Sequence, residues 1–134
     1  MSDHAATAAT AFRTAFEQRD FAPAAAVLAD DVTFRSPVLA RPWRTRAVLE
    51  RLGPAMVGVF DEVRFAAPVS GAERAVVSWT GTVGELDAEG VLLLDIDKAG
   101  AVTDMAILVR PLSALQAVAD RMAAAVDPQL LAAH

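Results

Sequence analysis

Asp95 and Asp97, two carboxylates separated by Ile96, are the first residues whose types and spacing suggest chemistry, because paired acids can divide general-acid and general-base work. Alternation along the segment places Leu92 and Leu94 inward, so both acids fall on the outer face, and Asp97-Lys98-Ala99-Gly100 reads as a turn. Ser36 is the next candidate, expected with Thr103 as a polar side chain near the floor of an apolar interior. A lone hydroxyl has no base to activate it, so its expected partner is backbone or a ligand. Arg41, Arg44, Arg46 and Arg51 cluster around Trp43, a grouping suited to holding a carboxylate or stacking on a planar ligand, and equally to a solvated loop and helix face.

Other chemistries lack their residues. His4 and His134 stand near the two ends of the sequence, and no carboxylate and histidine group has ligand spacing, so no metal site is expected. There is no Gly-x-Ser-x-Gly nucleophile motif, and Gly81-Thr82-Val83-Gly84 reads as a hairpin that precedes no helix, unlike a phosphate loop. Catalytic residues are therefore left unassigned, and no cofactor is expected. Zero cysteines exclude disulfides and thiolate chemistry. A net charge of −5 and a pI near 4.9 argue against nucleic acid or an anionic membrane as partner. With no signal peptide pattern and no long uninterrupted apolar run, a cytoplasmic protein is expected.

The elements that must position these residues follow from periodicity. The length of 134 residues and a hydrophobic fraction of 54% suit one core, so one domain is expected over 1–126, with 127–134 a frayed tail. Ala8, Phe12 and Phe16 form one stripe of a helix over about 4–19, and Pro23 suits the first turn of a second helix running to about Asp30. Val32 to Ser36 alternates as a strand halted by Pro37. Thr45 caps a third helix that Gly53-Pro54 interrupts, and four more strands fit between about Glu62 and Arg110. A turn at Gly84-Glu85 pairs Val83 with Leu86, Gly81 with Ala88, Trp79 with Gly90 and Val77 with Leu92, which makes one face of the hairpin wholly apolar. Small residues around Trp79 leave room for its ring. After Pro111, Ser113 and Gln116 read as a capping box opening a terminal helix.

Two stretches carry a family resemblance: Leu28-Ala29-Asp30-Asp31-Val32-Thr33-Phe34-Arg35-Ser36-Pro37-Val38, and Asp95-Ile96-Asp97-Lys98-Ala99-Gly100-Ala101-Val102-Thr103-Asp104-Met105. Over about residues 5 to 112 the chain resembles the nuclear transport factor 2-like superfamily, in particular its SnoaL-like and ketosteroid-isomerase-like members. The resemblance implies an α+β fold, a cone-shaped curved mixed or antiparallel sheet wrapped around N-terminal helices, here with an extra C-terminal helix. The superfamily includes isomerases, polyketide cyclases, epoxide hydrolases, dehydratases and binding modules, so the fold does not specify an activity. Carried over from the isomerases, the tyrosine oxyanion donor falls on Phe12, the aspartate base on Ser36 and the second, carboxylic acid donor on Leu92. None of the three can perform its role, so the usual ketosteroid-isomerase mechanism is not expected. The Asp-Arg-Asp relay of the epoxide hydrolases has no inward counterpart here.

The function expected from this is uptake of a small apolar molecule. The alternatives are an enzyme of the cyclase, isomerase or dehydratase kind acting on a hydrophobic substrate, and a structural homodimer with a filled core. The pocket is expected to be lined from the helices and first strand by Phe12, Phe16, Phe34, Ser36, Trp43 and Phe60, and from the later strands by Val77, Trp79, Leu92, Met105 and Val109. A homodimer is expected through the outer face, where Val76, Val91, Leu93, Ala106 and Leu108 would otherwise be exposed.

Overall fold

The computed structural model describes residues 3–133; His134 lies outside the described residues. Helix α1 spans His4–Gln18, capped by Asp3, whose carboxylate accepts from the Ala6 N–H, and ended by Arg19 in a left-handed conformation. The short α2, Ala22–Ala25, carries Pro23 in its first turn. Strand β1 covers Leu28–Arg35, so the second helix ends five residues before the Asp30 expected for it. The Val27 carbonyl accepts from Val102 N–H at 2.7 Å, which begins the pairing of β1 with the last strand; the register shifts between Leu28 and Thr33, and both Leu28 and Val32 are buried.

After the two-residue β2, Trp43–Arg44, helix α3 runs over Arg46–Gly58 without a break at Gly53-Pro54. Thr45 caps it as expected, its hydroxyl accepting from Val48 N–H. Two features let the helix continue through this pair. Gly53 faces the Phe21 ring so closely that a Cβ there would lie 2.2 Å from the ring. Pro54 and Glu50, whose carbonyl the proline leaves without its helical donor, are both exposed residues on the outer side of the helix.

Five strands follow instead of four: β3 Glu62–Phe65, β4 Val69–Ser70, β5 Arg74–Val83, β6 Leu86–Ile96 and β7 Val102–Arg110. The sheet order is β2-β1-β7-β6-β5-β3, with β4 also on β5; β1 runs parallel to β7 and the other pairs are antiparallel, so the sheet is mixed. The hairpin register is the expected one throughout, from Val83 with Leu86 to Arg74 with Asp95, and Gly84 supplies the positive φ of its turn. Gly90 takes the room beside Trp79, as expected. Gly81 serves another purpose, admitting the Glu62 carbonyl 2.6 Å from where its Cβ would stand, which brings β3 onto β5.

Helix α4, Leu112–Ala125, begins one residue before Ser113, so that hydroxyl sits inside the first turn and caps nothing; Gln116 donates to Asp120 instead. The segment expected to fray contains α5, Pro128–Ala133, with Leu130 buried in the core. Of the five outer-face residues expected to need a partner, Ala106 is already buried within the single chain, whereas Leu108 is 48% exposed. The concave side of the sheet holds the core: α1, α2 and α3 cover its broad part, and α4 packs Ala114 and Val118 against Trp79, Val83 and Ala88 near the hairpin turn.

Candidate apolar slot and its rim

The side chains that meet between α1 and the concave face are Phe16, Phe60, Val63, Phe65, Trp79, Leu92 and Ile107. They arrive by simple means: Phe16 from the α1 stripe, Val63 and Phe65 from alternation in β3, Trp79, Leu92 and Ile107 from the facing positions of β5, β6 and β7. Phe16 and Phe65 lie with ring centroids 5.5 Å apart, and Phe60 and Trp79 4.8 Å apart, both tilted at 57°. The space left between the seven is a slot of about 10 Å³, enough for a water-sized sphere and no more. Among the described residues no polar or charged side chain is buried, so the slot is apolar on every side.

Of the eleven residues expected to line a pocket, Phe16, Phe60, Trp79 and Leu92 do line the slot. Phe12, Phe34, Trp43, Val77 and Met105 are buried in the core around it, and Val109 is partly buried in the cluster under α4. Ser36 belongs to neither: its Oγ accepts from the Val38 and Leu39 N–H groups at 3.3 and 3.0 Å and closes a local turn. Val63, Phe65 and Ile107 were missed as lining residues. Ile107 alternates in β7 with Met105 and Val109 on the same face, and the Glu-Val-Arg-Phe pattern of β3 carries the same signal.

A groove of about 280 Å³ borders the slot, lined by Phe16, Glu17 and Arg19 of α1 and its cap, Val57 of α3, Phe60 and Asp61 after it, and Glu62, Val63 and Arg64 of β3. At its rim Asp61 accepts from Arg121 through both carboxylate oxygens, at 2.9 and 3.1 Å, and from the Gly84 N–H at 2.6 Å. The Arg121 guanidinium, and after it the Gly84 N–H, hold the Asp61 carboxyl below the usual carboxylate range. A larger groove of about 620 Å³ lies on the outer side of β3, β5 and β6, with Glu62, Arg64, Asp87, Glu89 and Arg110 along it. Its lining is charged where the slot is apolar.

The other candidates resolve into structural roles. Asp95 accepts from Arg74 Nε at 2.7 Å on the outer face, and Asp97 closes its turn by accepting from the Ala99 and Ala101 N–H groups. The arginines near Trp43 diverge: Arg44 donates to Thr33 Oγ1, Arg46 pairs with Glu50, and Arg51 reaches Asp127. No group of acidic and histidine side chains with metal-binding geometry occurs among the described residues, and no described helix is long and apolar enough to cross a membrane.

The sequence matches no protein-family model and no curated protein. Solved structures do match. A steroid delta-isomerase from Pseudomonas aeruginosa superposes with a TM-score of 0.84 at 24% identity over 92% of each chain. A bacterial protein with a cystatin-like fold from Silicibacter pomeroyi gives 0.84 at 25% identity over 91% of this chain and 86% of its own. A Mycobacterium tuberculosis protein in complex with estradiol-17beta-hemisuccinate gives 0.65 at 16% identity, covering 84% and 98%.

Proposed function

We propose that this chain, which has the nuclear transport factor 2-like fold, takes up a small, largely apolar molecule in the slot between α1 and the concave face of the sheet. The observation that carries the reading is the lining: seven aromatic and aliphatic side chains from α1, the α3–β3 connection and four strands converge there with no buried polar side chain beside them. Such a wall recognises shape and apolar surface and rewards a planar hydrophobic body by stacking on Phe60 and Trp79. It offers no group to take a proton from a bound molecule or to hold a developing negative charge, so binding is the chemistry it supports best. The tuberculosis protein that holds an estradiol derivative on the same fold lends support to a ligand of this size class.

The homodimer belongs to the same proposal. On the outer face the rows Val69-Val76-Leu93-Ala106 and Ser78-Val91-Leu108 run side by side across the strands, flanked by the charged row Arg64-Thr80-Glu89-Arg110. An apolar centre with cations and anions on its margin is self-complementary about a twofold axis.

Fluorescence tests the uptake. In a Trp43→Phe background, N-phenyl-1-naphthylamine, a neutral apolar fluorophore, is titrated while Trp79 emission is followed. Saturable quenching that is lost when Ile107→Phe fills the slot supports the proposal. Quenching that never saturates, or that Ile107→Phe leaves unchanged, rejects it.

A further inference from the structure

A slot of about 10 Å³ admits no organic molecule, so one of its walls must move for uptake. Six of the seven walls stand on hydrogen-bonded helix or strand; Phe60 alone stands on a connection, the segment from Val59 to Asp61 between α3 and β3. Phe60 also lines the neighbouring groove of about 280 Å³, together with Phe16 and Val63, so withdrawing its ring joins slot and groove into one space. We infer that the connection from Val59 to Asp61 is the gate of the slot and that Asp61 is the latch that holds it shut, an inference that rests on the slot being the uptake site.

The latch grips on both sides of Phe60. Before it, the Val59 carbonyl accepts from Arg121 Nη1 at 3.0 Å. After it, Asp61 N–H donates to the Thr82 carbonyl at 2.9 Å, the Asp61 carbonyl accepts from Arg19, and the carboxylate accepts from Arg121 and from Gly84 N–H. One residue thus ties the connection to the end of α1, the β5–β6 turn and α4. The pair is 39% exposed at Arg121 and 50% at Asp61, so opening exchanges these bonds for bonds to water and leaves no buried charge behind. Gly58, the last residue of α3 before the connection, has nothing within 4 Å of where a Cβ would stand, so no neighbour packs against it on that side. The gate couples uptake to α4: a molecule that displaces Phe60 must also loosen the grip of Arg121.

The test separates gate from uptake. Acrylamide quenching of Trp79 is measured in the Trp43→Phe background for Asp61→Asn and Arg121→Gln, with Glu50→Gln, which breaks the exposed Arg46 pair elsewhere on α3, as control. Asp61→Asn keeps an oxygen to accept from Gly84 and so is the gentler of the two. The expected result is a rise of about fivefold in the quenching constant of both latch variants, the change in an opening equilibrium when an exposed ion pair of this kind is broken, with Glu50→Gln unchanged. Association of N-phenyl-1-naphthylamine should quicken in parallel. Unchanged quenching in both latch variants, or an equal rise in Glu50→Gln, overturns the gate whatever the probe does. Raised quenching confined to the latch variants, with no probe bound by any variant, supports the gate and rejects the uptake.

Discussion

A methyl group at position 90 tests how tightly the sheet is coiled behind the slot. Gly90 pairs with Val109 on one side and faces Trp79 on the other, and a Cβ built there would stand 1.7 Å from the Leu108 carbonyl oxygen and 2.7 Å from the Trp79 ring. An ordinary carbon to oxygen contact is about 3.3 Å, so Gly90→Ala asks backbone to retreat by more than an ångström, which no rotamer change can absorb. Overpacking of this kind costs about 1–3 kcal/mol, and a backbone obstacle places it in the upper half of that range. The lower chain entropy of alanine returns about 0.5–1 kcal/mol of it, leaving a net loss near 2 kcal/mol. For a chain of this length that is a fall of roughly 6–10 °C in Tm. Urea unfolding followed by tryptophan emission reads the loss as a lower midpoint. Thr80→Val, on the exposed outer face beside it, should move stability by less than about 0.5 kcal/mol. Equal midpoints for Gly90→Ala and the wild type would refute the close approach of β6 and β7 on which the slot geometry depends.

Acid stability should depend on the latch. Asp61 is held low first by Arg121 and then by Gly84, and Asp127 first by the Gln129 N–H and then by Arg51. A folded value below the unfolded one makes the contribution fully present above about pH 4 and lost as the pH falls through the folded value. Midpoints should therefore be flat near neutrality and fall in acid, less steeply in Asp61→Asn; a slope at neutral pH removed by Asp61→Asn would contradict this. Leu108→Asp, at a half-exposed outer-face site, should convert a dimer to a stable monomer in sedimentation, and an unchanged dimer would reject the outer-face interface. The rate on a β,γ-unsaturated ketosteroid should equal that of buffer, because Phe12 and Leu92 are apolar and buried and the Ser36 hydroxyl is bound to the 38–39 turn. Turnover abolished by Ser36→Ala would overturn that assignment.

What could be read from the sequence was whatever repeats at a fixed period. The stripe of Ala8, Phe12 and Phe16 and the alternation around Trp79 and Leu92 gave α1 and the central hairpin with its register, because a one-residue slip there would turn the whole apolar face to water. The misses came where a distant contact overrides a local signal. Pro54 looks like a break until Gly53 is seen against Phe21, and Leu28 looks helical until it pairs with Val102 far along the chain. The slot itself was half legible. Its apolar walls follow from alternation, but its small volume depends on Phe60, which helical spacing after Met56 and Val57 would leave on α3 and which stands instead on the connection beyond it, and the latch joins Asp61 to Arg121 across a separation in sequence that carries no local pattern. Alternation after Phe34 points Ser36 toward the interior, whereas the N–H groups of Val38 and Leu39, just beyond Pro37, take its hydroxyl into a local turn.

Calorimetric titration of N-phenyl-1-naphthylamine at several temperatures tests the central claim, uptake into the apolar slot, most directly. Burial of an apolar body between Phe60, Trp79 and their neighbours predicts one site per chain with a distinctly negative heat-capacity change, abolished in Ile107→Phe. Absence of saturable heat across that temperature range, or binding that survives undiminished in Ile107→Phe, would contradict it.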